Sequence, residues 1–414
     1  MRRSTPRLAG VALVMTAGLV LAGCSSKSTG GGGGGSTSGA TGGSSASSSL
    51  SIQPLVQVDA TGKKVAAAGG STAADPAGDG SAKCSNISIG MAGALTGPNA
   101  ALGTNILNGL KLAVDQHNKA NAGCQVTVKQ FDTEGDPQKA TQVAPQIVSD
   151  TSVIGLLGPA FSGETKATGS IFNQAGLLSL TASATNPGLT TNGWNNFFRG
   201  LGNDNSQGGA IASYMKDTLG YKKVCVIQDD SDYGIGLATV VAKTLGSVAV
   251  SSCNAKVKTG DKDFSAAVQL VKDASPDAVY YGGYYAEAAP LLSQLRQGGV
   301  TAAFASGDGT NDPEFVKQAG DASKGAYLTC PCGPAPDKFA ADYKAMFSVA
   351  PGVYSVEAYD LGTIMLKGID KGITARGDLV KFVSSYDGAG LAKNYKWDST
   401  GELASASTWV YQVK

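Results

Sequence analysis

The sequence predicts an α/β protein with two lobes, each a parallel β-sheet flanked by helices. Between residues 84 and 414, short apolar segments alternate with amphipathic segments of roughly ten to fifteen residues, and Gly-rich turns separate them. This alternation is typical of parallel sheets covered on both faces. A region of this length exceeds what one hydrophobic core usually serves, so we expect two lobes.

The first 23 residues are predicted to be an export signal. Arg2, Arg3 and Arg7 precede an apolar run at 8–22, which is shorter than the ~20 residues that a bilayer-spanning helix needs. A basic start, a short apolar run and small residues before a cleavage point are typical of a signal peptide. The final Leu-Ala-Gly-Cys resembles the lipobox of bacterial lipoproteins, which implies that Cys24 is acylated and anchors the mature protein to the outer face of a membrane.

Residues 24–83 are predicted to be a flexible tether. Gly, Ser, Thr and Ala dominate its first half, with too few apolar side chains to form a core. The segment 52–58 is a candidate for a short strand, and little fixed structure is expected over 66–80.

The elements that follow alternate along the chain. Strands are expected at 87–91, 126–131, 153–157, 178–180, 224–228, 278–282 and 304–305. Helices are expected at 105–119, 137–150, 164–175, 205–218, 236–245, 264–273 and 286–297. Segments 153–176 and 278–299 share one order, strand, Gly-containing turn and helix, which indicates two lobes of like topology. Ligands of open parallel sheets bind beyond the carboxyl ends of strands, so the cleft between the lobes is the expected site.

Several kinds of chemistry lack candidate residues. His117 is the only histidine, and a polar helix end predicts that it is solvated, which leaves no Ser-His-Asp or Cys-His mechanism. No phosphate-binding loop or dinucleotide fingerprint follows a strand. Asp229, Asp230 and Asp232 lack the spacing of a calcium loop. We therefore expect no enzyme activity, no cofactor and no metal site.

The charge balance argues against a nucleic-acid partner. The chain has 33 basic and 32 acidic side chains, a net charge of +1, and so has no excess of cations to neutralise phosphates.

Six cysteines remain after Cys24, and an exported chain meets conditions that favour disulfides. Cys84 and Cys124 each precede a strand of one lobe, and Cys225 and Cys253 lie in or after neighbouring strands of the other, which favours these two pairs. Cys330 and Cys332 flank one proline and form either a small disulfide ring or a reactive dithiol.

A family resemblance runs from about residue 87 to the C-terminus. The chain resembles the leucine/isoleucine/valine-binding proteins of bacterial ABC importers in the order and spacing of several segments. These are Gly-Ala-Leu-Thr-Gly-Pro at 93–98, Phe-Asp at 131–132, Asp-Pro at 136–137, Asp-Tyr-Gly at 232–234, Asp-Phe-Ser at 263–265 and Tyr-Tyr-Gly-Gly-Tyr at 280–284. The resemblance implies a type I periplasmic binding fold, in which two α/β lobes joined by three crossovers close on an amino acid.

The resemblance also implies the boundaries of the lobes. The N-terminal lobe is expected to comprise 84–200 plus 333–396, and the C-terminal lobe 201–332 plus 397–414. The crossovers are expected near 199–202, 329–333 and 391–397, so the Cys330–Cys332 segment would lie on the second, where an oxidised ring would stiffen the hinge.

The family's binding residues carry over by position. Ser162, Ser183 and Thr185 are expected to hold the ligand carboxylate and head group, and Asp308 is expected to pair with the α-ammonium. Tyr233 and Tyr284 would close over the ligand from the second lobe, and Leu102 and Tyr354 would line the side-chain pocket. The family often has glutamate at the position of Asp308 and tyrosine at that of Leu102, so the departure leaves the ligand open.

The predicted function is capture of an amino acid, branched-chain aliphatic first, by a monomeric lipoprotein outside the cytoplasm that delivers it to an ABC importer permease. Two alternatives stay open: a receptor for urea, short amides or other small organic solutes, and a sensory lipoprotein.

Overall fold

A computed structural model describes residues 50–65 and 72–414 of the chain. The predicted signal peptide, Cys24 and most of the predicted Gly/Ser-rich tether lie outside these residues. None of the described helices has the length and apolar content to cross a membrane.

Strands occur throughout the described chain, and all seven predicted strands are present. The strands are β1 (Ile52–Val58), β2 (Ile87–Gly93), β3 (Val126–Asp132), β4 (Val153–Leu157), β5 (Leu178–Thr181), β6 (Phe197–Arg199), β7 (Val224–Gln228), β8 (Ala255–Lys256), β9 (Ala278–Gly282), β10 (Ala303–Ser306), β11 (Tyr327–Cys330), β12 (Asp387–Ala389), β13 (Asn394–Lys396) and β14 (Thr408–Val413).

Helices fill the connections between the strands. They are α1 (Ala100–Ala120), α2 (Pro137–Ser149), α3 (Ser162–Gln174), α4 (Asp204–Ser213), α5 (Asp232–Leu245), α6 (Ser265–Ala274), α7 (Tyr285–Gln297), α8 (Pro313–Ala319), α9 (Asp337–Phe347), α10 (Ser355–Asp370) and α11 (Arg376–Ser384). Helix α4 continues as the π-helical turn Tyr214–Thr218. The sequence analysis did not predict α8 to α11.

Two large sheets organise these elements into two lobes, and β12 and β13 form a separate antiparallel pair. The N-terminal lobe has five parallel strands in the order β3-β2-β4-β5-β6, covered by α1 to α3 and α9 to α11. The C-terminal lobe has seven strands in the order β1-β14-β11-β10-β9-β7-β8, with α4 to α8. Its sheet is parallel except that β14 runs antiparallel to both β11 and β1. Strands β2, β4 and β9 are buried along their whole length, as expected for strands covered on both faces.

The chain passes from the five-stranded to the seven-stranded sheet after β6, leaves the seven-stranded sheet after β11 and returns to it as β14. A further passage leads from β1 in one sheet to β2 in the other.

Local chemistry explains several helix starts. Asp136 caps α2 by accepting from the Gln138 and Lys139 amides, directly before Pro137 in the first turn. Helix α1 begins at Ala100, five residues before the predicted start. The prediction missed these residues because Gly103 interrupts the apolar pattern there. A side chain at Gly103 is impossible, since its Cβ would lie 1.9 Å from the Ala94 carbonyl oxygen.

The candidate short strand at 52–58 is confirmed, so the flexible tether does not include these residues. These residues form β1, which pairs with β14 from Ile52 opposite Val413 to Val58 opposite Thr408. Val58 packs against Ala210 and Val410 in a small hydrophobic cluster, so the segment belongs to the folded domain.

The second half of the predicted tether also contacts the folded domain after residue 72. The Ala74 amide donates to the Ala389 carbonyl, and the Asn121 amide side chain bonds to Ala77 and Ala82. The expectation of little fixed structure over 66–80 is therefore wrong for its described part, residues 72–80.

The expectation of a solvated His117 is also wrong. The ring is fully buried, with Nε2 2.9 Å from Asp370 Oδ1 and Nδ1 3.1 Å from Asn118 Oδ1. Burial opposes the charged form, but the bonds to Asp370 and Asn118 prevail and raise the pKa of His117. The local sequence does not reveal this role, because Asp370 is 253 residues away in sequence.

All three disulfides form between the expected cysteines. Cys84 bonds to Cys124 and Cys225 to Cys253, one pair in each lobe, which confirms both predicted pairs. Cys330 bonds to Cys332, so the ring form holds at the end of β11.

Candidate functional site

The predicted binding residues lie mainly in loops after the carboxyl ends of parallel strands. In the N-terminal lobe these loops follow β4 and β5, and in the C-terminal lobe they follow β7, β9 and β10. Parallel strands of one sheet end at the same edge, so each lobe gathers its residues there. The residues after β4 and β5 are Ser162, Ser183 and Thr185, and those after β7, β9 and β10 are Tyr233, Tyr284 and Asp308.

Asp308 is the centre of the site. Its carboxylate is fully buried and accepts two phenol hydrogen bonds, from Tyr233 to Oδ1 and from Tyr354 to Oδ2, each 2.7 Å long. Burial raises the pKa of Asp308 above its usual value, against the lowering effect of the two phenols. The Gly309 amide donates to the Tyr233 hydroxyl at 3.0 Å, which leaves the phenol proton for Asp308. A buried anion supported in this way is suited to a cationic partner.

The loop that carries Asp308 is fixed at both ends. The Ser306 hydroxyl donates to the Tyr281 carbonyl, and the Thr310 hydroxyl donates to the Gly283 carbonyl at 3.1 Å. Between them, a Cβ at Gly307 would lie 2.5 Å from the Tyr233 hydroxyl, so glycine is required for the phenol to approach. The carboxylate is therefore held by neighbouring strands and not by a loose loop.

Tyr354 contacts Asp308 from the N-terminal lobe. It immediately precedes α10 in the N-terminal lobe, and its φ of 69° lies in the left-handed region, which costs about 1–2 kcal/mol for a residue with a Cβ. The hydroxyl reaches across the lobes to Asp308. Tyr354 thus contacts the predicted ammonium site directly, a contact that its predicted role in the side-chain pocket did not include.

The N-terminal lobe contributes neutral polar groups. Ser162 is the first residue of α3, and its hydroxyl accepts from the Asn186 amide at 3.2 Å. The Ser183 hydroxyl donates to the Ala160 carbonyl, and Thr185 is fully buried. The free amides of the α3 N-terminus lie beside these hydroxyls, an arrangement that favours an anion.

Aromatic rings join the two halves. Phe161, from the N-terminal lobe, stacks on Tyr284 of the C-terminal lobe with ring centroids 4.4 Å apart, and the Tyr284 ring lies 5.0 Å from that of Tyr233. The sequence analysis did not identify Phe161, because an aromatic residue before a helix has no signal of its own. Leu102 lies fully buried on α1 within the main core.

Polar contacts between the lobes surround this region. Lys166 pairs with Asp232 at 2.6 Å, and Asn105 donates to Asp312 at 2.9 Å. The Ala101 amide donates to the Tyr285 hydroxyl at 3.3 Å. The lobes are thus in contact around the Asp308 cluster, as in a closed arrangement.

Three further polar residues lie near Asp308 and were not predicted. Asp204, at the start of α4, is fully buried, and burial together with the Asp308 charge raises its pKa to about 7. Gln207 donates to Thr329 at 3.2 Å. Burial and the charges of Asp308 and Asp204 raise the pKa of Tyr280 well above its usual value. Asp204 and Gln207 directly follow the first crossover, which is the only sequence signal that would have pointed to them.

Within residues 50–65 and 72–414, no cluster of three His, Cys, Asp or Glu side chains has the geometry to hold a metal ion.

Comparisons with known proteins identify the family of the chain. Residues 86–414 match the model of the periplasmic binding protein family. The chain belongs to the periplasmic binding protein family. Members of this family act outside the cytoplasm, and the relatives described below are substrate-binding proteins and not enzymes.

Two curated relatives illustrate the similarity. The leucine-, isoleucine-, valine-, threonine- and alanine-binding protein of Pseudomonas aeruginosa is 34% identical over 69% of this chain and 78% of its own length. The leucine-specific-binding protein of Salmonella typhimurium is 30% identical over 80% of this chain and 92% of its own length.

Solved structures share the fold. The branched-chain amino acid transporter protein LivJ of Streptococcus pneumoniae, solved with isoleucine, has a TM-score of 0.73 at 28% identity and covers 79% of this chain and 99% of its own. The leucine-binding protein LivK of Thermotoga maritima has a TM-score of 0.72 at 25% identity, with 79% and 97% covered. The type I periplasmic binding fold and the resemblance to leucine/isoleucine/valine-binding proteins are thereby confirmed.

Proposed function

We propose that this protein captures a zwitterionic amino acid between its lobes, branched-chain aliphatic first, and delivers it to the permease of an ABC importer. The observation that carries the proposal is the Asp308 carboxylate, buried and held by two phenols at the carboxyl end of β10. From the N-terminal lobe, the Ser162 hydroxyl and the α3 N-terminus offer donors to a carboxylate. One anionic and one donor-rich half match the two charges of an amino-acid head group.

Ligand binding and closure are coupled in this proposal. Asp308 and Tyr233 belong to the C-terminal lobe, whereas Tyr354 and Ser162 belong to the N-terminal lobe, so one ligand contacts both only when the lobes meet. A ligand shifts the equilibrium towards closure by its greater affinity for the closed form.

The decisive experiment compares two buried carboxylates by calorimetry against leucine, isoleucine and valine. Asp308→Asn removes the charge from the proposed ammonium site and should lower affinity by about 100-fold or more. Asp360→Asn is the matched control: Asp360 is also buried, but it accepts from the Leu391 and Ala392 amides within the N-terminal lobe. Equal effects of the two variants, or unchanged binding in Asp308→Asn, would reject the ammonium site.

The same titrations separate the alternative ligands. Urea and short amides lack an α-ammonium, so a receptor for them would bind neutral amides and ignore zwitterions. A sensory lipoprotein would bind its ligand without supporting uptake, which transport assays in cells lacking the chain would reveal.

The anchor is proposed to be a lipid on Cys24, outside the described residues. Labelling cells with a radioactive fatty acid should mark the protein, and Cys24→Ala should abolish the label and release the protein from the membrane fraction. A label that persists in Cys24→Ala would contradict the anchor.

A further inference from the structure

A cavity of about 430 Å³ lies outside the Phe161 and Tyr284 stack, with walls from both lobes. Five carboxylate side chains line it, and no basic residue is among the described residues of its lining. The five are Glu134, Asp136, Asp230, Asp232 and Glu287. The sequence motifs leave this cavity without a role, since the predicted amino-acid head site lies around Asp308.

Four of the five carboxylates already have partners. Glu134 pairs with Lys139 and Asp232 with Lys166. Asp136 caps α2, and Asp230 accepts from the Thr259 amide and hydroxyl. These acids shape the potential of the cavity but do not themselves require a ligand.

Glu287 is different. It is 1% exposed, Oε1 accepts from the Gly260 amide at 2.8 Å, and Oε2 has no hydrogen-bond partner among the described residues. A buried carboxylate oxygen without a donor is unfavourable, and native proteins rarely leave one. The free oxygen belongs to a side chain that lines the cavity, so a donor entering the cavity would satisfy it.

Asn99 presents a second free acceptor from the opposite lobe. It occupies the N-cap position of α1, yet its side chain makes no capping hydrogen bond. It is 7% exposed, and Oδ1 has no partner among the described residues. Capping therefore does not account for this side chain, and a donor in the cavity would satisfy its oxygen.

We propose that this cavity is an outer subsite that binds a cationic side chain of the ligand, an ammonium or guanidinium, between Glu287 and Asn99. The proposal rests on the proposed amino-acid function and extends its substrate class from aliphatic to basic amino acids. The α-ammonium and carboxylate would lie at Asp308 and Ser162, and a long side chain would pass Tyr284, which forms part of the wall of the cavity and also contacts the Tyr233 ring. A cation beside the aromatic faces of Phe161 and Tyr284 would gain a further attraction.

The test is calorimetry on the purified chain with L-arginine, L-lysine, L-citrulline, L-norleucine and L-leucine. Citrulline matches arginine in length but is neutral, with a carbonyl oxygen in place of one guanidinium nitrogen. Norleucine matches the lysine stem without its charge. We expect arginine or lysine to bind about tenfold or more tightly than citrulline and norleucine, since a charged hydrogen bond is lost in each comparison.

Variants localise the effect. Glu287→Gln should weaken binding of the basic ligand about tenfold while leaving leucine affinity within about twofold. Glu134→Gln is the matched control, because this exposed carboxylate lines the same cavity but is paired with Lys139, and it should change neither by more than about twofold.

Each outcome decides a separate point. Basic ligands that bind no more tightly than norleucine, or a Glu287→Gln variant that weakens leucine and arginine equally, would overturn the outer subsite. Leucine binding would in that case leave the proposed function standing. Absence of binding by every zwitterion in the wild-type chain would reject the proposed function and the subsite together.

Discussion

The two lobes have the same parallel-sheet plan but obtain their strands differently. The N-terminal lobe builds its five-stranded sheet from one continuous stretch, β2 to β6. The C-terminal lobe completes its sheet with β1 and β14 from the two ends of the folded chain, paired antiparallel. One lobe is thus assembled largely from local sequence, whereas the other depends on segments about as distant as the chain allows.

The lobes also bring different chemistry to the cleft. The N-terminal lobe offers hydroxyls and helix amides, and the C-terminal lobe offers the Asp308 carboxylate and the Tyr233 phenol. Under the proposed function, this division means that neither lobe alone would hold both charges of an amino acid. Stability measurements test the first contrast and binding measurements test the second.

The disulfides allow the largest test of the lobes' independence. Cys84–Cys124 spans 40 residues and Cys225–Cys253 spans 28. Replacing either pair by serine should cost about 4 kcal/mol of unfolding free energy, because the entropy of closing the loop depends only weakly on its length. Urea titration followed by tryptophan fluorescence measures both losses. A loss below about 1 kcal/mol in one lobe alone would show that its unfolded chain is already constrained there.

Strand β1 gives a test of the distant pairing. Removing residues 1–65 should destabilise the C-terminal lobe by about 3 kcal/mol, since the Val58 contacts and the ladder to β14 are lost. Thermal unfolding of the truncated chain should show the change, together with a tendency to associate through the exposed edge of β14. An unchanged melting temperature would mean that β1 does not stabilise the C-terminal lobe.

Buried carboxylates in both lobes predict an unusual pH dependence. Burial raises the pKa of Glu164 to about 7, that of Asp360 to about 7 and that of Asp204 to about 7, above the usual values near 4. Between pH 4 and 7 the folded chain therefore binds more protons than the unfolded chain, so stability falls as pH rises through this window. Each of the three groups should make the unfolding free energy roughly 2 kcal/mol lower at pH 8 than at pH 5.5.

Single variants assign that slope to a lobe. Asp360→Asn in the N-terminal lobe and Asp204→Asn in the C-terminal lobe should each flatten it. A slope of the opposite sign in the wild-type chain would show that other titrating groups dominate.

The contrast between local and distant strand pairing also explains which strands could be predicted from the sequence. Apolar runs with Gly-rich turns predicted β2, β4, β7 and β9, because burial on both faces leaves a continuous local pattern. Strand β1 was a candidate from its apolar residues, but its place in the sheet was not predicted, since its partner β14 lies at the other end of the folded chain. The local sequence pattern of a strand does not show which distant strand it will pair with.

Individual side chains follow the same rule. Asp308 and Tyr233 were predicted from the family resemblance, because the positions of binding residues in the family reflect its folded structure. Other properties depend on neighbours that belong to other elements. Examples are the burial of His117, the contact of Tyr354 with Asp308 and the unpaired oxygen of Glu287. None of these properties can be read from the residues beside them in sequence.

The smallest expected effect separates the two phenols on Asp308. Both donate at 2.7 Å, but Tyr233 belongs to the same lobe as Asp308 and Tyr354 to the opposite lobe. Removing either hydroxyl with Tyr→Phe should weaken binding by about 1–2 kcal/mol, roughly tenfold. Only Tyr354→Phe also removes a contact between the lobes, so it alone should shift the ligand-free chain towards the open form. Small-angle scattering of the two ligand-free variants measures this: a larger radius of gyration in Tyr354→Phe than in Tyr233→Phe is expected, and equal values would mean that the hydroxyl of Tyr354 does not hold the lobes together.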